Sequence, residues 1–113
     1  MPETMAFSNP PDARMTWSYA DAGGEPRLTI GGSLDAVTVV ELRPALDSIV
    51  GARPKAVSVD LSKLELIDSS GVGAIVSLFK RMREYGGAVR IEGVTSQPLA
   101  IFRLLRLDRV FGF

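Results

Sequence analysis

The 113-residue chain contains no histidine and no cysteine. The first absence removes Ser–His and Cys–His nucleophilic catalysis and the commonest metal ligand. The second removes disulfides and thiolate zinc sites, so a chain of this length must rest on its hydrophobic core. Neither sign of charge is in excess. The 13 Lys+Arg balance 13 Asp+Glu, which argues against a strongly basic nucleic-acid binder. No apolar run approaches the ~20 residues that span a bilayer. The opening Met1-Pro2-Glu3-Thr4-Met5 lacks the basic-then-apolar order of a signal peptide. These absences lead to the expectation of one cytoplasmic domain, with no membrane insertion and no direct nucleic-acid contact.

What is present alternates between strand and helix patterns. Residues 1–14 hold Pro2, Asn9, Pro10 and Pro11 without a sustained period, and read as a flexible tail ahead of a domain over 15–113. Met15 to Ala20 alternates Met15, Trp17 and Tyr19 against Thr16 and Ser18, and Arg27 to Ile30 alternates again. The turn-forming residues 21–26 between them predict an antiparallel hairpin. Val39, Leu42, Leu46 and Ile49 share one helical face, with Pro44 inside the pattern as a potential kink.

Ala56 to Leu61 reads as a mostly buried strand, followed by a loop through Leu66 and Ile67. Val72, Ile75, Val76, Phe79 and Met82 form a second amphipathic face, closed by Gly86-Gly87. Ala88 to Glu92 is another strand, and a third helix opens near Pro98. Its apolar face takes in Leu99, Phe102, Leu104 and Leu105, and Val110 to Phe113 reads as a last strand or a docked end. The predicted fold is α/β: a mixed, mostly parallel sheet with an N-terminal antiparallel hairpin and about three helices.

Two strand-to-helix loops carry small and acidic residues: Gly32-Ser33-Leu34-Asp35 and Asp68-Ser69-Ser70-Gly71. In a parallel sheet such loops fall on one edge, where partner sites form. The plain reading of Asp35, Asp68 and Ser69 is helix capping, since their oxygens accept from first-turn amides. The functional reading is that a helix start tolerates a phosphate on Ser69. The added charge beside Asp68 would then alter a binding surface without melting the helix.

From Arg27 to Val110 the chain resembles a STAS domain of the bacterial anti-sigma factor antagonist type. The resemblance rests on Gly32-Ser33-Leu34-Asp35, Val57-Ser58-Val59-Asp60-Leu61, Ile67-Asp68-Ser69-Ser70-Gly71-Val72-Gly73, Gly86-Gly87 and the segment from Leu104 to Phe111. It implies that Ser69 is phosphorylated by the partner anti-sigma factor, an ATP-dependent serine kinase of the GHKL type. The unphosphorylated form would bind that kinase and release the sigma factor, and a metal-dependent serine phosphatase would reset the switch. Asp35, Asp68, Ser69, Ser70 and Gly71 would form the partner-binding surface. No cofactor is implied. The chain departs from the family pattern in Pro44, in the extra head over residues 1–14, and in ending at Phe113 where many relatives carry a further helix.

Other readings compete with this one. A STAS domain can serve as an assembly subunit of a lipid-transport complex or a stressosome. An enzyme would need Asp35, Asp60 and Asp68 as a carboxylate set with Ser69 as nucleophile, yet no base stands beside Ser69. Gly71-x-Gly73 is too little for a phosphate loop. Arg103, Arg106 and Arg109 form a basic strip that reads as a solvated helix face or a dock for an acidic partner.

Overall fold

Alternation along the first half of the chain builds a meander. In the computed structural model, which describes residues 5–10, 13–22 and 25–113, β1 (Met5–Ser8), β2 (Met15–Ala22) and β3 (Glu25–Leu34) pair antiparallel in chain order. Then come α1 (Val39–Gly51), β4 (Ala56–Ile67), α2 (Ser69–Arg83), β5 (Ala88–Glu92), α3 (Ser96–Leu104) and α4 (Leu107–Phe111). β3, β4 and β5 pair parallel, giving one five-stranded mixed sheet in the order β1-β2-β3-β4-β5.

One row crosses all five strands: Phe7 opposite Tyr19, Tyr19 opposite Leu28, Leu28 opposite Val59, and Val59 opposite Ile91. Its members from Tyr19 to Ile91 are buried. The adjacent row runs Ala20, Arg27, Ser58, Arg90 and stays at least partly open. The sheet therefore has one apolar and one polar face. Helices α1 and α2 cover the apolar face with Val39, Leu42, Leu46, Ile49, Ile75, Leu78 and Met82. On the polar face Arg27 bridges Glu92 at 2.8 Å and Asp60 at 3.6 Å.

Three sequence expectations are corrected here. The tail expected over residues 1–14 contains an edge strand, Met5–Ser8, while residues 1–4 and 11–12 lie outside the described residues. Asn9 explains the pairing: its side chain donates to Met15 O at 2.6 Å and accepts from Trp17 N at 2.8 Å, standing in for a strand partner after β1. The loop expected before Ile67 is a continuation of β4, whose register against β3 slips twice, between Thr29 and Gly31 and between Gly32 and Ser33. Those bulges change the buried spacing from 57, 59, 61 to 61, 64, 67, which breaks the two-residue period that marks a strand.

The third correction is at the C-terminus. Leu107–Phe111 is a short helix, entered through Arg106 in the left-handed region at φ 59°. Phe111 packs edge-to-face on Phe79 at 5.3 Å and on Phe102 at 6.0 Å between centroids. Leu104 and Leu105, expected in the core, are instead exposed where α3 ends. Pro44 does lie inside α1 as the pattern indicated. Past its pairing with Glu92 the long β4 has no strand on its β5 side among the described residues, and α3 takes that edge. Gln97 accepts from Ile67 N at 2.9 Å and donates to Ile67 O at 3.0 Å, satisfying both backbone groups.

Candidate partner-binding site

The C-terminal ends of β3 and β4 lie side by side, Leu34 opposite Ile67, so the two loops singled out in the sequence emerge together. Asp68 is the N-cap of α2. Its Oδ1 accepts from Gly71 N at 3.0 Å, and its Oδ2 accepts from Ala36 N at 3.1 Å in the other loop. The main chain adds Asp68 N to Leu34 O at 3.2 Å. One carboxylate thus caps a helix and ties the loops to each other.

Asp35 organises the entry to α1. Its Oδ1 accepts from Val37 N and Thr38 N, both at 2.9 Å, and its Oδ2 pairs with Arg14 at 2.6 Å. Buried Thr38 locks this turn, its hydroxyl donating to Ser33 O at 2.7 Å and accepting from Asp35 N at 3.0 Å. The amide of Thr38 draws the Asp35 pKa below its ordinary value. Partial desolvation opposes this, while the Val37 amide and Arg14 add to it. Asp35 is thereby held as an anion.

Ser69 and Ser70 follow the cap. Ser69, the first residue of α2, is exposed, whereas Ser70 is half-buried toward α1. Capping therefore accounts for Asp68, whereas Asp35 holds the turn ahead of α1, whose N-cap Thr38 makes no side-chain cap bond, and Ser69 does neither. Gly71 is buried because a Cβ there would meet Leu34 O at 2.6 Å and Ile67 Cγ1 at 2.7 Å. Its missing side chain lets α2 start against the strand ends. Gly73, one position beyond the close approach, would meet nothing within 4 Å.

All five residues expected at the site, Asp35, Asp68, Ser69, Ser70 and Gly71, are brought to one edge of the sheet. The structure adds others. Val37 and Val40 are 70% and 63% exposed at the start of α1, and Leu66 is 54% exposed just before Asp68. Large apolar side chains so open beside two anchored carboxylates give the edge an apolar component. In sequence Leu66 reads as part of a loop and nothing singles out Val37 or Val40, since their solvent exposure follows from the bulged end of β4 and the turn at Thr38. Asp60, grouped with Asp35 and Asp68 in the enzyme reading, lies away from them on the polar sheet face, where it pairs with Arg27 and accepts from Ser62 N at 2.9 Å. Among the described residues no cluster of three or more acidic side chains forms around Ser69. Arg103, Arg106 and Arg109 are exposed at the α3–α4 end, in a different part of the fold.

The edge thus presents an exposed serine at a helix start, beside two loops held by the carboxylates of Asp35 and Asp68. Comparison with known proteins gives the family. Residues 17–112 match the family model described as Mlab, STAS domain. The chain belongs to the STAS-domain family.

Its similarity extends to the anti-sigma-F factor antagonist RsfB of Mycobacterium tuberculosis, 31% identical over 90% of this chain and 84% of that protein. An anti-sigma-B factor antagonist of Listeria monocytogenes is 24% identical over 74% of this chain and 73% of its own length. Among solved structures, an anti-sigma factor antagonist from Mycobacterium paratuberculosis superposes with a TM-score of 0.76 at 25% identity, covering 90% of this chain and 86% of that one. No helix among the described residues is long and apolar enough to cross a membrane.

Proposed function

We propose that this chain is an anti-sigma factor antagonist switched by phosphorylation of Ser69. In its unphosphorylated form it binds a cognate anti-sigma factor, a GHKL-type serine kinase, and so releases a sigma factor in the cytoplasm. The kinase transfers the γ-phosphoryl group of ATP to Ser69 Oγ, ADP leaving, and the binding ends. A metal-dependent serine phosphatase restores the free hydroxyl. The antagonist names of the relatives support the class of function.

The observation that carries the switch is the division of labour between neighbours: Asp68 makes the cap and Ser69 is left exposed. A phosphate on Ser69 adds about −1.5 to −2 charges at neutral pH. It would lie at the positive end of α2, so the helix survives. The binding surface, by contrast, gains charge and bulk next to exposed Val37, Val40 and Leu66. A partner that buries those side chains must then desolvate a dianion, which is costly without a new cationic partner.

Affinity capture from the native host with wild-type and Ser69→Asp baits tests the class. A GHKL kinase retained by the wild type and depleted on the Asp bait is the expected result. A second reading keeps the same STAS domain as an assembly subunit of a lipid-transport complex. It predicts instead that transport components are retained equally by both baits.

A further inference from the structure

The apolar face of β2 presents Met15, Trp17, Tyr19 and Asp21 in turn, since alternate residues share a face. Met15 is sealed in the core. The other three, joined by Phe7 from β1, line a groove of about 320 Å³ against α1, with Pro44 and Ile49 in the opposite wall. Pro44 thus has a place: the helix position that sequence propensity disfavours forms part of this wall. Phe7 is 52% exposed at the rim, so the groove opens to solvent.

One atom is out of keeping with an apolar groove. Asp21 Oδ1 is shut off from solvent and, among the described residues, has no hydrogen-bond donor. Buried carboxylate oxygens ordinarily find a donor or a cation. The phenol of Tyr19 stays protonated, because burial and then the charge of Asp21 push its pKa up. The groove therefore carries a single anionic group beside three aromatic rings, and none of its lining residues is basic.

We propose that this groove binds an organic cation with an apolar body, such as an alkylated ammonium. The head would sit against Asp21 and the faces of Trp17 and Tyr19, and the chain would lie along Ile49 and Pro44. Ring faces attract ammonium groups electrostatically, and partial desolvation strengthens the attraction. No residue of the Asp35–Asp68 edge lines the groove, so this binding stands or falls independently of the Ser69 switch.

The chain has one tryptophan, Trp17, which makes the site its own reporter. The full chain is titrated with hexyltrimethylammonium, with 1-hexanol and with hexanoate, following Trp17 emission. The expected result is a saturable change with the cation at a Kd at least about tenfold below that of the alcohol, and no saturation with hexanoate. Asp21→Asn should abolish the preference for cation over alcohol. Ser48→Phe, an exposed α1 position on the groove wall, should remove the saturable responses to the cation and the alcohol while leaving thermal unfolding unchanged. No saturable response of the wild type, equal affinity for cation and alcohol, or unchanged cation affinity in Asp21→Asn would each overturn the proposal.

Discussion

The Asp68 carboxylate accepts the amide of Ala36 across a sequence separation of 32 residues, at 3.1 Å. The same carboxylate caps its own helix through Gly71 N. The edge where β3 and β4 end is thus one rigid unit, and Ser69 rides on it without holding it together.

This division of roles fixes the stability of two variants. Asp68→Ala removes the cap and the loop tie and should cost about 1–2 kcal/mol. Ser69→Ala removes an exposed hydroxyl and should stay within about 0.5 kcal/mol of the wild type. Urea denaturation of both proteins checks the pair. A Ser69→Ala cost equal to that of Asp68→Ala would make Ser69 a structural cap.

Two nearby glycines should respond with opposite sign. Gly71→Ala drives a Cβ into Leu34 O and Ile67, an overpacking that should destabilise by about 1–3 kcal/mol. Gly73→Ala meets nothing within 4 Å inside the same helix and should stabilise by about 0.5–1 kcal/mol through the lost backbone freedom of glycine. Thermal unfolding midpoints moving the same way in both variants would contradict the packing described at Gly71.

Acid stability should depend on Asp35. Hydrogen bonds from the amides of Thr38 and Val37, with Arg14, hold its folded-state pKa below the ordinary 3.8 against partial desolvation. Ionised Asp35 therefore stabilises the fold at neutral pH, and the contribution is lost as pH falls from that ordinary value through the lower folded one. Asp35→Asn should flatten the acid limb of stability against pH. Denaturant midpoints measured across that range in both proteins check it, and identical slopes would contradict it. Asp60, whose desolvation is outweighed by its bond to Ser62 and the charge of Arg27, contributes with the same sign.

Phe111→Ala should cost about 2 kcal/mol, less than a fully buried phenylalanine, because the ring is only partly covered while contacting Phe79 and Phe102. Chemical denaturation measures it. A neutral result would mean that α4 does not contribute to the fold.

Much of this architecture was legible in the sequence because its signals are local. The hairpin, the helical faces behind Asp35 and Asp68, and the two acidic loops are all written within a few residues of one another. What escaped was set at a distance. Arg14 belongs to the site through an ion pair with Asp35, 21 residues on. Met5–Ser8 joins the sheet, followed directly by Asn9, whose side chain bonds Met15 and Trp17. The end of β4 was hidden by bulges that only its pairing with β3 produces. At the C-terminus, Val110 to Phe113 reads as a last strand or a docked end, and the choice is made by a left-handed Arg106 and the rings of Phe79 and Phe102, which dock Phe111 in a short helix.

The central claim is that one phosphate on Ser69 ends partner binding while the fold remains. It is tested most directly by calorimetric titration of the captured kinase with unphosphorylated and Ser69-phosphorylated protein of matched circular dichroism. A weakening of at least about tenfold, 1.4 kcal/mol, on phosphorylation is the predicted result. Equal affinity for the two forms would contradict the account.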